Sequence, residues 1–172
     1  MASILSRGVP WGLLLVLACA PPTVPTTGEL RPLEERRARA VIERVIGEHG
    51  SQPKSGRTFE LSNGFILKEE VRIGDGPYGV AYITGEEQKS AADMLPKYDP
   101  ENMALRLVHP SEQAIILILH EQAYRFDSAG GVTNTAVTAE KKFERDVSDF
   151  IVNVVATGAG RRKPMAPPDG AP

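Results

Sequence analysis

The chain has 172 residues, of which 41% are hydrophobic and 24% charged, and its formal net charge is -2. These values are typical of a globular protein and exclude the strongly basic surface of an electrostatic nucleic-acid binder, so no nucleic-acid partner is predicted. Once the two ends are set aside, the length allows one domain with a single hydrophobic core.

The N-terminal segment differs in composition from the rest of the chain. Arg7 is the only charged residue among residues 1–19, and residues 9–18 are apolar apart from Pro10 and Gly12. A helix of about ten residues is about 15 Å long, roughly half the hydrocarbon thickness of a bilayer, so a permanent transmembrane helix is disfavoured. Residues 1–18 are therefore predicted to be a signal peptide that is removed on export.

The end of this segment, Val16-Leu17-Ala18-Cys19, resembles the lipobox of bacterial lipoprotein precursors. In that family a small residue precedes a cysteine that becomes the acylated N-terminus. The resemblance implies that Cys19 is lipidated and anchors an exported protein to a membrane of the bacterial cell envelope. Cys19 is the only cysteine of the chain, so no intramolecular disulfide can form, and acylation would account for an unpaired thiol in an oxidising compartment.

Two alternatives to the anchor remain open. Cleavage after Ala20 would release a secreted soluble protein, since Ala18 and Ala20 give the small-x-small pattern of an ordinary signal-peptide site. Pro21 would then follow the cut, and a proline fits poorly into an extended protease substrate because its φ is fixed and its N–H is missing. The second alternative is a cytoplasmic protein whose apolar start is fortuitous.

The composition also separates the domain from two flanking segments. Residues 19–30 are rich in proline and threonine, which favour extended backbone, and are predicted to be a lipidated tether. Residues 158–172 are rich in glycine, proline and alanine, and are predicted to be a disordered tail. A single domain is therefore expected over residues 31–157.

The domain begins with a predicted helix over residues 32–48. Pro32 suits the first turn of a helix, and Glu34 and Glu35 lie where the helix dipole favours negative charge. Apolar residues recur at three- and four-residue spacing on one face, namely Ala38, Val41, Ile42, Val45 and Ile46. His49-Gly50 is the expected end of the helix.

The next segment is predicted to form strands. Residues 65–73 alternate between two faces, and Asn63-Gly64 is typical of a type I′ turn, so residues 58–62 and 65–73 are expected to form a hairpin. A third strand over residues 80–84 and a short helix over residues 86–95 follow.

Two apolar runs, residues 103–108 and 114–120, predict a second hairpin whose latter strand is buried on both faces and is extended by residues 124–126. The final helix is predicted to start at Thr138 as N-cap and to carry an apolar stripe that packs on the sheet. The order α-β-β-β-α-β-β-α thus predicts an α+β fold with about five mostly antiparallel strands and with N- and C-terminal helices packed on the sheet.

Gly74, Gly76 and Gly79 satisfy the pattern G-x-G-x-x-G and resemble the glycine-rich loop of protein kinases, in which backbone N–H groups close over phosphates. The other kinase motifs are missing from the sequence, and a strand rather than a helix follows Gly79, which excludes a dinucleotide-binding fold. The glycines are predicted to form a tight connection between strands, with nucleotide binding by the Gly74–Gly79 loop as an alternative.

His120 and Glu121 resemble the first half of the zinc-protease motif H-E-x-x-H, but Tyr124 occupies the position of the second histidine. On a strand, residues four apart are separated by about 13 Å and cannot share one metal ion. No metal or other cofactor is predicted. A small envelope hydrolase that uses His120 and Glu121 remains an alternative.

No set of catalytic residues emerges from the sequence, so the predicted function is a non-enzymatic binding or assembly module held at the membrane through acylated Cys19. Its partner is expected to be a protein or a component of the cell wall. A docking role predicts an exposed apolar patch or an open strand edge on the folded domain.

Overall fold

The structure, a computed structural model, describes residues 29–102, 104–127 and 135–158. The predicted signal peptide, Cys19, most of the tether and nearly all of the predicted tail lie outside the described residues. Leu30, which the sequence places in the tether, pairs with Asp127 in a short strand.

The described residues form three α-helices and nine strands. In chain order these are β1 Leu30–Arg31, α1 Glu35–Glu48, β2 Pro53–Ser55, β3 Thr58–Glu60, β4 Ile66–Lys68, β5 Val71–Ile73, β6 Tyr78–Ile83, α2 Gly85–Ala91, β7 Leu107–Ser111, β8 Ala114–His120, β9 Phe126–Asp127 and α3 Ala136–Phe150. Single 3-10 turns cover Ala92–Met94 and Glu121–Tyr124, and a π-helical turn, Ile151–Val155, continues α3.

The predicted α+β fold is confirmed. The main sheet has five strands in the order β2-β5-β6-β8-β7, while β1 pairs with β9 and β3 pairs with β4 in two separate ribbons. The two central strands, β6 and β8, run parallel from Tyr78 opposite Ile115 to Ile83 opposite His120, whereas the other pairs are antiparallel. The carboxyl ends of both central strands therefore meet at the same edge of the sheet.

Helices α1 and α3 cover one face of the sheet because each carries an apolar stripe. Their buried residues pack with the sheet side chains Val71, Val80, Tyr82, Ile115, Leu117 and Leu119 in one cluster. Arg37 and Arg44 of α1 form ion pairs with Glu140 and Glu144 of α3, each at 2.6 Å. Such exposed pairs contribute at most about 1 kcal/mol each, so apolar burial accounts for most of the helix packing.

The β3–β4 ribbon and α2 cover the opposite face. A second cluster of buried side chains lies there, formed by Leu67, Ala81, Ile83, Ala91, Leu95, Ile116 and Ile118. Every residue of β8 is buried, which confirms the prediction that this strand is covered on both faces.

The predicted continuous strand over residues 65–73 is wrong. The chain breaks at Glu69 and Glu70, so β4 pairs with β3 whereas β5 joins the main sheet. The backbone N–H of Glu69 donates to the carbonyl oxygen of Arg57, just before β3, whereas that of Glu70 donates to the carbonyl oxygen of Val80 in β6. The alternation of apolar residues continues across the break because β4 and β5 each bury one face, and the sequence pattern therefore does not show the break.

The hairpin between β3 and β4 exists, but its turn is not type I′. Gly64 has a φ of +79° whereas Asn63 does not have a positive φ, and a type I′ turn requires a positive φ at both positions. The N–H groups of Leu61 and Gly64 instead donate to Phe65 and Leu61 within a longer loop.

Three further boundaries differ from the prediction. The helix predicted over residues 32–48 begins only after Glu34, its N-cap, so Pro32 lies outside α1. Residues 124–126 do not extend β8, because a 3-10 turn intervenes and β9 pairs with β1. The N-cap of α3 is Thr135 rather than Thr138, since the Thr135 side chain accepts the hydrogen bond of the Thr138 N–H.

Candidate functional site

A cleft lies beside the carboxyl end of β8, between residues 98–102 and 104–106, the 3-10 turn after β8 and α3. It is partly open to solvent, and we refer to it as the β8 cleft. Its walls combine apolar side chains with charged and aromatic ones, including Tyr98, Arg106, His120, Tyr124, Lys142 and Asp146. This mixture is typical of sites that bind small ligands.

Arg106 fixes the loop on one side of the β8 cleft. Its Nε atom donates to the carbonyl oxygen of Lys97 at 3.0 Å, and its Nη2 atom donates to those of Asp99 and Asn102 at 2.9 and 3.1 Å. The guanidinium carbon lies 6.0 Å from the ring centroid of Tyr98. These bonds hold a permanent positive charge in the wall, because an arginine stays protonated at all physiological pH values.

Lys142 and Tyr124 also line the cleft. The Nζ atom of Lys142 donates to the carbonyl oxygen of Ala123 at 3.0 Å and lies 5.4 Å from the centroid of the Tyr124 ring. The Tyr124 hydroxyl donates to Oδ2 of Asp146 at 2.8 Å. Burial, followed by the charge of Asp146, raises the pKa of Tyr124 well above its usual value, so this hydroxyl remains a donor.

His120 lines the cleft as well and is only 4% exposed. Burial lowers the pKa of His120 to about 4, Arg106 lowers it further, and a hydrogen bond to the Pro96 backbone opposes both effects. Since a proline has no N–H, the Pro96 carbonyl must accept this bond from the ring. His120 is therefore neutral near pH 7.

The second ring nitrogen of His120, Nε2, is buried and has no hydrogen-bond partner among the described residues. In the neutral ring, one nitrogen donates to Pro96 and the other is an acceptor. A buried acceptor without a partner costs free energy, and each such atom in a native structure calls for an explanation.

The structure does not bring His120 and Glu121 together as the hydrolase alternative requires. Neighbouring residues at the end of a strand point to opposite sides, and Glu121 lies beside Gly85 at the start of α2, with Oε1 3.0 Å from where a Cβ of Gly85 would be. His120 lines the β8 cleft but Glu121 does not. Within the described parts of the chain, no three side chains of His, Cys, Asp or Glu come together as metal ligands.

The glycine pattern lies elsewhere, at the connection between β5 and β6. Gly74 follows β5 with a φ of +57°, which explains this glycine, whereas Gly76 does not have a positive φ. Gly79 lies within β6, where a Cβ would be 1.6 Å from Oε1 of Glu69. The close approach that Gly79 permits is thus to a carboxylate of the protein itself.

Most residues of the β8 cleft carry no signal in the sequence, because three separate segments supply them. Tyr98 and Arg106 belong to an irregular loop, whereas Lys142 and Asp146 occupy the polar side of a helix, where such residues are ordinarily solvated. Only His120, as the polar end of a buried strand, is a feature that sequence reasoning singles out.

Comparison of the chain with protein-family models, with curated proteins and with solved structures found no match. Among residues 29–102, 104–127 and 135–158, no helix is long and apolar enough to cross a membrane. The residues of the β8 cleft and the N-terminal sequence are thus the basis for a functional hypothesis.

Proposed function

We propose that the chain is a bacterial envelope lipoprotein, exported and held at a membrane through acylated Cys19, and that its α+β domain is a binding or assembly module. The anchor is supported by the sequence alone, since a single cysteine directly follows an apolar segment that is too short to span a bilayer. Several acyl chains on one residue give durable attachment, because each buried CH₂ contributes about 0.8 kcal/mol.

The observation that carries the binding role is the unmade hydrogen bond of His120 Nε2 in a cleft lined by Arg106 and Lys142. These groups are held in place by bonds to the backbone, so they offer fixed donors and an acceptor to an incoming molecule. Polar groups that are positioned before binding favour recognition because little ordering is required when the ligand enters.

The strand edges give less support to docking by strand addition. In the described residues the main sheet ends at β2 and β7, and these strands contain Pro53 and Pro110, which lack an N–H. Proline and lysine on an edge strand are typical means of preventing added pairing, and Lys54 completes this arrangement on β2. We therefore assign recognition to the β8 cleft rather than to an edge.

The hydrolase alternative gains little from the structure. A hydrolase that uses both residues must bring them to the same substrate, but only His120 lines the cleft and Glu121 lies outside it. A binding role uses the same histidine without requiring it to carry charge.

Two comparisons test the proposal. A Cys19→Ala variant should lose membrane fractionation and fatty-acid labelling, whereas Thr23→Ala, in the same segment, should retain both. Affinity capture from membranes with the intact acylated protein should recover a partner that the Lys142→Met variant fails to recover and the Lys141→Met variant retains. Unchanged membrane retention of Cys19→Ala would overturn the anchor, and equal capture by both lysine variants would overturn the cleft as the binding surface.

A further inference from the structure

We propose that the β8 cleft binds a small organic carboxylate that carries a hydrogen-bond donor next to the carboxylate, with the carboxylate against Arg106 and Lys142 and the donor directed at His120 Nε2. An N-acylated amino acid, including the free C-terminus of a peptide, and an α-hydroxy acid share this chemistry. The inference rests on the binding role proposed above but does not depend on the membrane anchor.

We infer a carboxylate on the ligand from the hydrogen-bond donors of the cleft that have no partner within the protein. Arg106 uses Nε and Nη2 for backbone carbonyls, which leaves its Nη1 donors, and Lys142 uses one of three N–H groups. Arg106 and Lys142 both line the cleft together with His120 and Tyr124. Two cations with unused donors around one small cleft favour an anion.

Asp146 does not cancel this preference, although it also lines the cleft. Its Oδ2 atom accepts the bond of the Tyr124 hydroxyl at 2.8 Å, and its Oδ1 atom lies 3.5 Å from the Nη2 atom of Arg145. Both carboxylate oxygens of Asp146 therefore already have a partner, whereas no ion pair is formed by Arg106 or Lys142 among the described residues.

We infer the neighbouring hydrogen-bond donor of the ligand from His120. A neutral imidazole nitrogen accepts a hydrogen bond but repels a second carboxylate oxygen, so the group that reaches Nε2 must carry an N–H or O–H. Apolar atoms of Leu105, Leu119 and Ala123 line the remaining wall. A short aliphatic substituent on the carbon between the carboxylate and the donor would fit against them.

Ligand binding to the full-length chain in detergent tests this assignment, measured by calorimetry and by the chemical shifts of His120. N-acetylalanine and lactate are the probes, and they distinguish an acylated amino acid from a hydroxy acid. At least one should bind saturably with a Kd on the order of 1 mM, as expected for so few atoms. N-acetylalanine methylamide lacks the carboxylate and N-acetylproline lacks the N–H, and each should bind at least about tenfold more weakly, a loss of about 1.4 kcal/mol.

Variants locate the site. His120→Phe and Lys142→Met should each weaken binding at least about tenfold, whereas Lys141→Met, an exposed neighbour on α3, should bind as the wild type does. Thermal unfolding identifies a variant that fails to fold, and in that case the comparison of N-acetylalanine with N-acetylproline on the wild type decides the role of His120. Absence of saturable binding by the wild type, or equal binding of the probes and their matched analogues, would overturn the inference.

The two proposals can fail separately. If a membrane partner is captured in a Lys142-dependent manner but neither probe binds, the proposed function stands and the ligand class is wrong. If a probe binds but Cys19→Ala remains at the membrane, the ligand class stands and the anchor is wrong.

Discussion

The carboxylate of Glu69 occupies the space that a side chain at Gly79 would need. A Cβ at Gly79 would lie 1.6 Å from Oε1 of Glu69 and 2.4 Å from its Cδ. Glu69 cannot move aside easily, because its carboxylate accepts hydrogen bonds from the N–H, Nε and Nη2 of Arg57 at 2.8 to 2.9 Å. The third glycine of the G-x-G-x-x-G pattern thus packs against a buried ion pair.

Replacement of Gly79 by alanine should therefore destabilise the domain by about 3 kcal/mol, the cost of forcing extra atoms into a fixed environment. Gly76→Ala is the matched control, since its Cβ would meet Tyr78 Cδ2 at 3.5 Å, an ordinary contact. Chemical denaturation of both variants measures the free energy of unfolding. Equal stability of Gly79→Ala and the wild type would contradict the packing described for Glu69.

Arg57→Met should cost about 3 kcal/mol, because it leaves the fully buried carboxylate of Glu69 without its ionic partner. Arg44→Met is the control. Arg44 also forms ion pairs, but it lies on the exposed side of α1, and its loss should cost at most about 1 kcal/mol. The two free energies of unfolding should differ clearly, and similar values would mean that burial of Glu69 is incomplete.

The domain should lose stability as the pH falls from about 6.5 to about 4, because of His120. Its pKa is lowered to about 4 in the folded protein from 6.5 in the unfolded chain, so only the unfolded state binds a proton in this window. The stabilisation that comes from keeping His120 neutral is fully present above pH 6.5. As the pH approaches 4, the free energy of unfolding decreases by at most about 3 kcal/mol. Denaturation at several pH values measures the slope.

A His120→Gln variant provides the control for this pH dependence, since its side chain does not titrate. The difference in unfolding free energy between wild type and variant should change with pH only between about 4 and 6.5. An NMR titration of the His120 ring gives the pKa directly. A midpoint near 6.5 would show that the ring is solvated. Nε2 would then hydrogen-bond to water, and the assignment of the cleft as a binding site would lose the unpartnered acceptor on which it depends.

Thr135→Ala should cost about 1 kcal/mol, the usual effect of losing an N-cap. The Thr135 side chain accepts from the N–H of Thr138 at 3.2 Å, whereas the Thr138 side chain is exposed inside α3 and makes one solvent-exposed hydrogen bond, to the Thr135 hydroxyl at 3.0 Å. Thr138→Ala should therefore change the unfolding free energy by less than about 0.5 kcal/mol. A larger loss of stability from Thr138→Ala than from Thr135→Ala would mean that the helix starts at Thr138, as predicted from the sequence.

Elements whose buried face repeats along the chain were predictable from the sequence. In α1, α3 and β8 the pattern of apolar residues along the element itself shows which faces are buried. All three elements were predicted near their observed positions. The break between β4 and β5 was not, because it depends on hydrogen bonds from Glu69 and Glu70 to segments distant in sequence. Glu69 was the one local sign of it, because the alternation places this charged residue on the same face as Leu67 and Val71.

The β8 cleft was less predictable for the same physical reason. Its polar groups become a site only when the loop that carries Arg106 and the helix that carries Lys142 pack beside the end of β8. The predictive signal was limited to His120, whose chemical role changes from a proposed base to a buried acceptor once its burial is known. Nothing local to Arg106 or Lys142 distinguishes them from solvated surface cations.

The mature N-terminus is the most direct test of the central claim that the protein is anchored through Cys19. Mass spectrometry of the protein purified from membranes of a bacterial host should show a chain that begins at Cys19 and carries the added mass of several acyl groups. A chain that begins with unmodified Pro21 would establish ordinary secretion, and one that begins with Met1 would establish that no export signal is processed. Either result would contradict the lipoprotein assignment.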